Sequence, residues 1–177
     1  MSSRLGKLRR DLRVTSAEQS YNYKLRATWL SDEVVRATAR LTQLAEGLTT
    51  AQTKQLVEEA SRPGSIVVLV EIDPREGSGV IPLEWVATLR NPIGDAAERS
   101  VRGVSRPELR KIRALSGGAR RDYAYEAFWM EFPVADADGA ALFNEHSEKA
   151  ELSVRIHSKE GRVALSVPAS IWARRSR

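Results

Sequence analysis

The stretch DYAYEAFWMEFPV, residues 122–134, carries five of the chain's eleven aromatic side chains within thirteen positions. Its even-numbered positions form one continuous apolar row, made of Phe128, Met130, Phe132 and Val134. Its odd-numbered positions form a second, more amphipathic row, whose aromatic members are Tyr123, Tyr125 and Trp129. Two such rows predict a central strand with both faces covered, because a strand buried on both sides lacks a polar face. We assign the even row to the core and take the three odd aromatics as candidates for contact with a partner.

Two helix signals precede this strand. Ser31 can cap a helix whose first turn is acidic, which the positive end of the helix dipole favours. Apolar residues then recur at helical spacing, at Val34, Ala37, Leu41, Leu44, Ala45 and Leu48. Gly47 is a suitable terminator, and Thr49 or Thr50 can cap a second helix that ends near Ser61. The pattern predicts a helical hairpin with a short connection.

Four other segments have the two-residue periodicity of strands. Residues 65–73 form a β-branched run, and residues 80–91 place apolar side chains at odd positions. Near the C-terminus, residues 152–156 and 163–167 alternate on either side of the turn SKEG, where Gly161 can supply a positive φ. With the opening stretch, these segments make five strands.

The predicted fold class is therefore α+β, an N-terminal helical hairpin followed by an antiparallel sheet of about five strands. The sheet either closes as a small β-sandwich or is covered by the helices. The predicted divisions are a basic arm over 1–30, the hairpin over 31–62 and a β domain over 64–173 with a basic excursion at 99–121.

Composition excludes several kinds of protein. The chain has no cysteine, which rules out disulfides, thiolate metal sites and cysteine nucleophiles. No stretch approaches the roughly 20 apolar residues of a spanning helix, so we predict no transmembrane segment. The N-terminus has no apolar signal region, and a cytoplasmic location is expected for the chain as given. A leader removed by processing would place it in the periplasm or outside the cell, and a transit peptide would place it in an organelle.

Positive charge is concentrated in two segments. The net charge is +5, but residues 99–121 alone carry eight Lys or Arg against one acid, and residues 1–30 carry seven against two. Arginine outnumbers lysine 22 to 6, which favours planar partners such as carboxylate or phosphate, or reflects a GC-rich genome. In the arm, Leu5, Leu8 and Leu12 fit a short amphipathic helix that binds a partner or a membrane surface, or else a basic tail.

The excursion at 99–121 is the strongest candidate for a binding segment. Ser105 can cap a short helix that has Pro107 in its first turn and Glu108 in a capping-box position. The apolar residues Leu109, Ile112 and Leu115 would then face the sheet. The candidate anion-binding or partner-binding residues are Arg102, Arg106, Arg110, Arg113, Arg120 and Arg121. The alternative is that these arginines pair with acidic groups of the same chain.

No catalytic or metal motif is present. The segment 134–146 resembles a calcium loop only superficially, because Val134 at its first position has no oxygen ligand, and we interpret Asp136 and Asp138 as parts of a turn. His146 and His157 have no acidic neighbour at metal-motif spacing. We predict no catalytic residue, no metal and no cofactor.

These observations predict a non-enzymatic binding or assembly module that docks through its Arg-rich segments onto an acidic protein surface or an anionic polymer. The alternative is a nucleic-acid-associated protein, which would bind with a steep salt dependence. A third hypothesis is a hydrolase or carbohydrate-binding protein that uses the aromatic strand. It requires Tyr125 and Trp129 to line an open cleft.

Overall fold

Two antiparallel sheets of four strands each make up most of the described structure. In the computed structural model, the described residues are 23–61, 65–74, 81, 84–92, 99–115 and 126–173. The strands are β1 (Tyr23–Trp29), β2 (Ser65–Pro74), β3 (Trp85–Arg90), β4 (Ser100–Arg102), β5 (Val104–Ser105), β6 (Glu126–Pro133), β7 (Lys149–Ile156) and β8 (Lys159–Ser166). Sheet A has the strand order β1-β2-β6-β5, and sheet B has the order β4-β3-β7-β8.

Helical elements complete the fold. The helices are α1 (Asp32–Glu46), α2 (Thr50–Ala60) and α3 (Ala169–Ala173). Two 3₁₀ turns, Pro107–Lys111 and Arg113–Leu115, follow β5. The elements confirm the predicted α+β class with a helical hairpin and antiparallel strands. However, β1 precedes the hairpin, and the strands form two sheets of four, packed as a sandwich, instead of one sheet of about five.

One hydrophobic core lies between the two sheets. Every strand except β5 contributes residues to it, and its fully buried members include Val68, Ile72, Leu89, Phe132 and Leu152. Met130 and Phe132 are buried there and Phe128 packs against the same cluster, which confirms the assignment of the even row. We call this cluster the sandwich core.

A second hydrophobic core covers the other face of sheet A. It joins odd residues of β2 and β6 to α1, α2 and the two 3₁₀ turns, and its members include Val35, Ala39, Leu69, Leu115 and Trp129. We call it the helical-layer core. β6 is therefore covered on both faces, as its two apolar rows predict.

The ends of the helical hairpin agree with the capping signals. The side chain of Ser31 accepts a hydrogen bond from the backbone of Val34, and Gly47 ends α1 with a φ of 65°. Thr49 caps α2 in a complete capping box with Gln52. Cap chemistry is local, which explains why the sequence predicts these boundaries well.

Three strands were not predicted. β1 lies within the segment predicted as a basic arm, and its residues Tyr23, Leu25, Ala27 and Trp29 are all buried. The polar residues between them, Lys24 and Arg26, obscured this alternation. β4 and β5 have only three and two residues, too few for a periodicity to be recognised. The rest of the predicted arm, residues 1–22, lies outside the described residues.

The C-terminal hairpin forms, but its predicted turn is wrong. Ile156 pairs with Lys159, so His157 and Ser158 alone make the turn. The positive φ falls on His157, at 52°, whereas Gly161 lies within β8 opposite Val154. Histidine is among the non-glycine residues that adopt this conformation most readily.

One of the crossings between the two sheets is made by a single residue, Gly103. It separates β4 of sheet B from β5 of sheet A, and its N–H donates to the carbonyl of Ala87 at 2.9 Å. A Cβ at this position would lie 2.7 Å from Cε1 of Phe132, closer than real Cβ contacts. The crossing therefore requires glycine because there is no space for a side chain.

Candidate functional site

Helix α1 buries the smaller of its two apolar faces. Val35, Thr38 and Ala39 are its buried residues, and they pack in the helical layer. Leu41 and Leu44 are 59% and 67% exposed. The stripe of larger apolar residues along α1 is therefore mostly a surface feature, which is the reverse of an ordinary amphipathic helix.

The exposed stripe has the spacing of a coiled-coil seam. Ala37, Leu41, Leu44 and Leu48 follow one another at intervals of four, three and four residues. At about 100° per residue, this row lies roughly 140° around the helix from the buried face. Leu48, just past the helix end, is half-buried and the other three are exposed. We call these four residues the leucine seam.

Two of the predicted arginines are held by carboxylates of the same chain. The Nε of Arg106 lies 2.5 Å from Glu131, and its Nη1 lies 3.7 Å from Glu108. Arg113 forms an ion pair with Glu46 at the C-terminal end of α1. This pairing agrees with the alternative in which the basic excursion neutralises acidic groups of its own protein.

The local structure of the excursion differs from the prediction. Leu109, Ile112 and Leu115 are buried against the sheet, as expected. However, the segment forms two 3₁₀ turns, and Ser105 belongs to β5. Arg106 occupies the cap position and makes no capping hydrogen bond, so the predicted capping box is wrong. Pairing of β5 with β6 fixes Ser105 in an extended conformation, which removes it from the helix start.

Arg110 and Lys111 are exposed cations of the helical layer. Among the described residues, their side chains form no ion pair or hydrogen bond. They lie at the end of the first 3₁₀ turn, and the second turn packs against α1. On α1 itself, Arg36 and Arg40 are also exposed. Arg36 and Arg40 therefore lie along one side of the apolar row, and the exposed Glu33 lies one turn before Ala37.

The remaining predicted binding residues do not join this surface. Trp129 is buried in the helical-layer core, and its indole N–H donates to the carbonyl of Leu115 at 2.9 Å. It is therefore a core residue, and the prediction of a partner contact at Trp129 is wrong. Arg102 projects from β4 in sheet B, away from the helical layer. Arg120, Arg121, Tyr123 and Tyr125 lie outside the described residues.

The acidic segment after β6 forms a turn. Both the Asp138 and the Ala140 backbone N–H groups donate to the Asp136 carboxylate, at 3.1 and 2.8 Å, and Gly139 has a φ of 77°. This is the Asx-type turn predicted from the sequence. Within the described ranges, no group of three or more His, Cys, Asp or Glu side chains could hold a metal ion.

The outer face of sheet B contains arginines that sequence reasoning missed. Arg90, Arg155 and Arg162 come from three different strands, together with Arg102 from the fourth. In β7 and β8 the sequence shows arginines alternating with buried apolar residues, which is the pattern of a strand with one face exposed. Which arginines become neighbours depends on strand register, which sequence alone did not give.

No protein-family model, curated protein or solved structure matches this chain. In the part of the chain that the structure describes, no helix is long and apolar enough to span a membrane.

Proposed function

We propose that this protein is a non-enzymatic binding module whose leucine seam receives an amphipathic helix of a partner protein. The observation that carries the proposal is the exposure of Leu41 and Leu44, at 59% and 67%, on a helix whose other apolar face is buried. Single exposed leucines are ordinary on protein surfaces, but a regular apolar row is typical of an interaction site.

The spacing of the seam favours a helix as the occupant. A row at intervals of four, three and four residues is the pattern by which one helix packs against another. An extended peptide would instead require a free sheet edge or pockets with a two-residue repeat. Ala37, at one end of the row, leaves space for a large side chain of the partner.

The charges around the seam favour acidic flanks on the partner. Arg36 and Arg40 lie beside it on α1, and both are exposed. Complementary charge selects the partner and speeds association more than it adds affinity. This refines the docking expected for the Arg-rich excursion, since Arg106 and Arg113 are already paired within the chain.

The short seam supports a weak or transient complex. Four residues of one helix contribute much less than the roughly 800 Å² per partner of a standard interface. We therefore expect a dissociation constant of about 10 µM for a helix that binds this seam alone, equivalent to roughly 7 kcal/mol.

Calorimetric titration with two synthetic peptides tests this function. Both peptides carry leucine at the a and d positions of a heptad repeat; one has glutamate and the other has lysine at e and g. The full chain should bind the glutamate peptide, and the lysine peptide at least about tenfold more weakly. Replacing Leu41 and Leu44 together by serine should weaken binding of the glutamate peptide at least about tenfold.

Val104→Ser provides the matched control. Val104 is also an exposed apolar residue, at 57%, but it lies on β5 outside the seam. This variant should bind the glutamate peptide like the wild type. Equal binding by the wild type and the Leu41/Leu44 double variant would refute the proposal. A seam-dependent dimer of the chain alone, measured by sedimentation, would instead identify a second copy as the occupant.

A further inference from the structure

The outer face of sheet B has an ordered row of polar side chains. In the strand register, Arg102 of β4 lies beside Thr88 of β3, Thr88 beside Ser153 of β7, and Ser153 beside Arg162 of β8. Each of the four strands thus contributes one residue, and two hydroxyls lie between two arginines. We call the outer surface of sheet B the arginine face.

Two of its four arginines are neutralised within the face. Arg90 contacts Glu151 through Nε at 2.9 Å and through Nη2 at 2.7 Å. Arg162 contacts Glu160 at 2.8 Å and lies 3.6 Å from Glu151. These two arginines and two glutamates form a network across β3, β7 and β8 without a net charge.

Arg102 and Arg155 supply excess positive charge at the centre of the face, and Lys149 adds a further cation at the start of β7. Both are exposed, and neither forms an ion pair or hydrogen bond with any described residue. Glu160 lies opposite Arg155 in the register but its carboxylate contacts Arg162 instead. The described part of the face therefore carries two unpaired guanidinium groups.

These two guanidinium groups can reach the same ligand. Arg155 is two residues along β7 from Ser153, and Arg102 is two strands away from β7. With neighbouring strands about 4.8 Å apart and a rise of about 3.3 Å per residue, the two Cα atoms are roughly 12 Å apart. Two extended arginine side chains span that distance, with Thr88 and Ser153 between them.

We propose that the arginine face binds the phosphate groups of a nucleic-acid backbone. The guanidinium fork matches two oxygens of a phosphate, and the hydroxyls of Thr88 and Ser153 can donate to it from the sheet. No aromatic side chain lies on the described part of this face, so it has no platform on which bases could stack. Binding is therefore independent of sequence and depends on salt.

Fluorescence anisotropy with a labelled duplex oligonucleotide of mixed sequence tests this site in the full chain. Replacing Arg102 and Arg155 together by serine should weaken binding at least about tenfold at low salt. Loss of two phosphate contacts should also reduce the slope of log K against log salt by about 1.8. Replacing Arg110 and Lys111 by serine removes the same charge from the other side of the molecule, and should change the affinity less than about twofold.

Three results would overturn the assignment. Equal losses in the two double variants would mean that only net charge matters, and an unchanged affinity in the Arg102/Arg155 variant would mean that phosphates bind elsewhere. Tighter binding of a heparin fragment of equal charge would identify a sulfated polysaccharide instead. The expected result is a loss confined to the Arg102/Arg155 variant. This test is independent of the peptide titration, because the two surfaces share no residue.

Discussion

The leucine seam and the arginine face lie on opposite sides of the molecule and expose opposite chemistry. The seam belongs to the helical layer over sheet A, where apolar side chains are exposed and two neighbouring arginines are paired with carboxylates. The arginine face belongs to sheet B, where most apolar side chains point inward and two arginines form no pair with any residue that the structure describes.

The difference shows that density of arginine in the sequence is a poor guide to a binding surface. The excursion has the densest positive charge, yet Arg106 and Arg113 have internal partners. The arginines of sheet B are scattered along the chain and converge only through strand pairing. What matters physically is whether a guanidinium group is already satisfied, because breaking an existing pair offsets the gain from a new one.

The largest effect should come from removing an aromatic residue of β6. Trp129 supports the helical layer, and Phe132 supports both sheets from the sandwich core. Each change to alanine should lower the free energy of unfolding by about 3–5 kcal/mol, measured by urea denaturation. Only Trp129→Ala should lower the affinity for the glutamate peptide, and the folded variant should keep its affinity for the oligonucleotide. If Trp129→Ala lowered the affinity for both ligands equally, the two surfaces would not be independent.

The next largest effect should be a difference in stability between substitutions on the two apolar sides of α1. Val35 is fully buried, and Val35→Ala should lower the free energy of unfolding by about 2 kcal/mol. The exposed pair Leu41 and Leu44 can be changed together to serine with a loss within about 0.5 kcal/mol. Thermal and urea unfolding of both variants measure the contrast. A large loss in the leucine variant would show that the seam is part of the core.

Removing one carboxylate should strengthen oligonucleotide binding at the arginine face. Glu151 holds Arg90 and lies near Arg162, so Glu151→Gln leaves both guanidinium groups without this anion. We expect oligonucleotide affinity to rise about threefold at low salt, with a steeper salt dependence. Glu58→Gln is the matched control, because Glu58 is an exposed residue of α2. Equal increases in the two variants would contradict a local effect at sheet B.

The smallest effect should be a pH dependence from Glu33. The hydrogen bond from Ser31 lowers the pKa of the Glu33 carboxyl, with smaller contributions from Ser170 and Arg36. A lowered pKa favours the ionised form in the folded state, so its stabilisation is present above the ordinary pKa and is lost as the pH falls through the folded pKa. Because the side chain is largely exposed, solvent screening keeps this contribution below about 0.5 kcal/mol.

Urea unfolding between neutral pH and about pH 3 tests this contribution. Glu33→Gln should be slightly less stable than the wild type at neutral pH, and the two should converge in acid. Oligonucleotide affinity should not change at neutral pH, because Glu33 lies on α1, outside sheet B. A difference that grew in acid would contradict the sign.

Local signals predicted the fold better than they predicted its surfaces. Caps at Ser31 and Thr49 and the two apolar rows of β6 depend on neighbouring residues, and each appears as expected. β1 was missed because Lys24 and Arg26 made its alternation look like a basic arm. The apolar row of the seam was visible in the sequence, but its exposure was not, because α1 has two apolar faces and only the packed structure decides which one is buried.

Site residues depended on information that is not local. Trp129 was expected at a surface, but whether an odd-row aromatic of β6 is exposed depends on what covers sheet A. Arg102 was grouped with the excursion by sequence, although β4 belongs to the opposite sheet. Arg155 carries no sequence signal of its own, because its importance comes from Thr88 and Arg102 on neighbouring strands.

The crossing at Gly103 also bears on how the protein unfolds. Gly103 alone separates β4 from β5, its N–H donates to the carbonyl of Ala87 in β3, and Phe132 of β6 lies against it. Opening sheet B would disturb this contact with sheet A, so we expect the two sheets to unfold together as one cooperative unit. We also expect that neither the leucine seam nor the arginine face can be isolated as a smaller folded fragment.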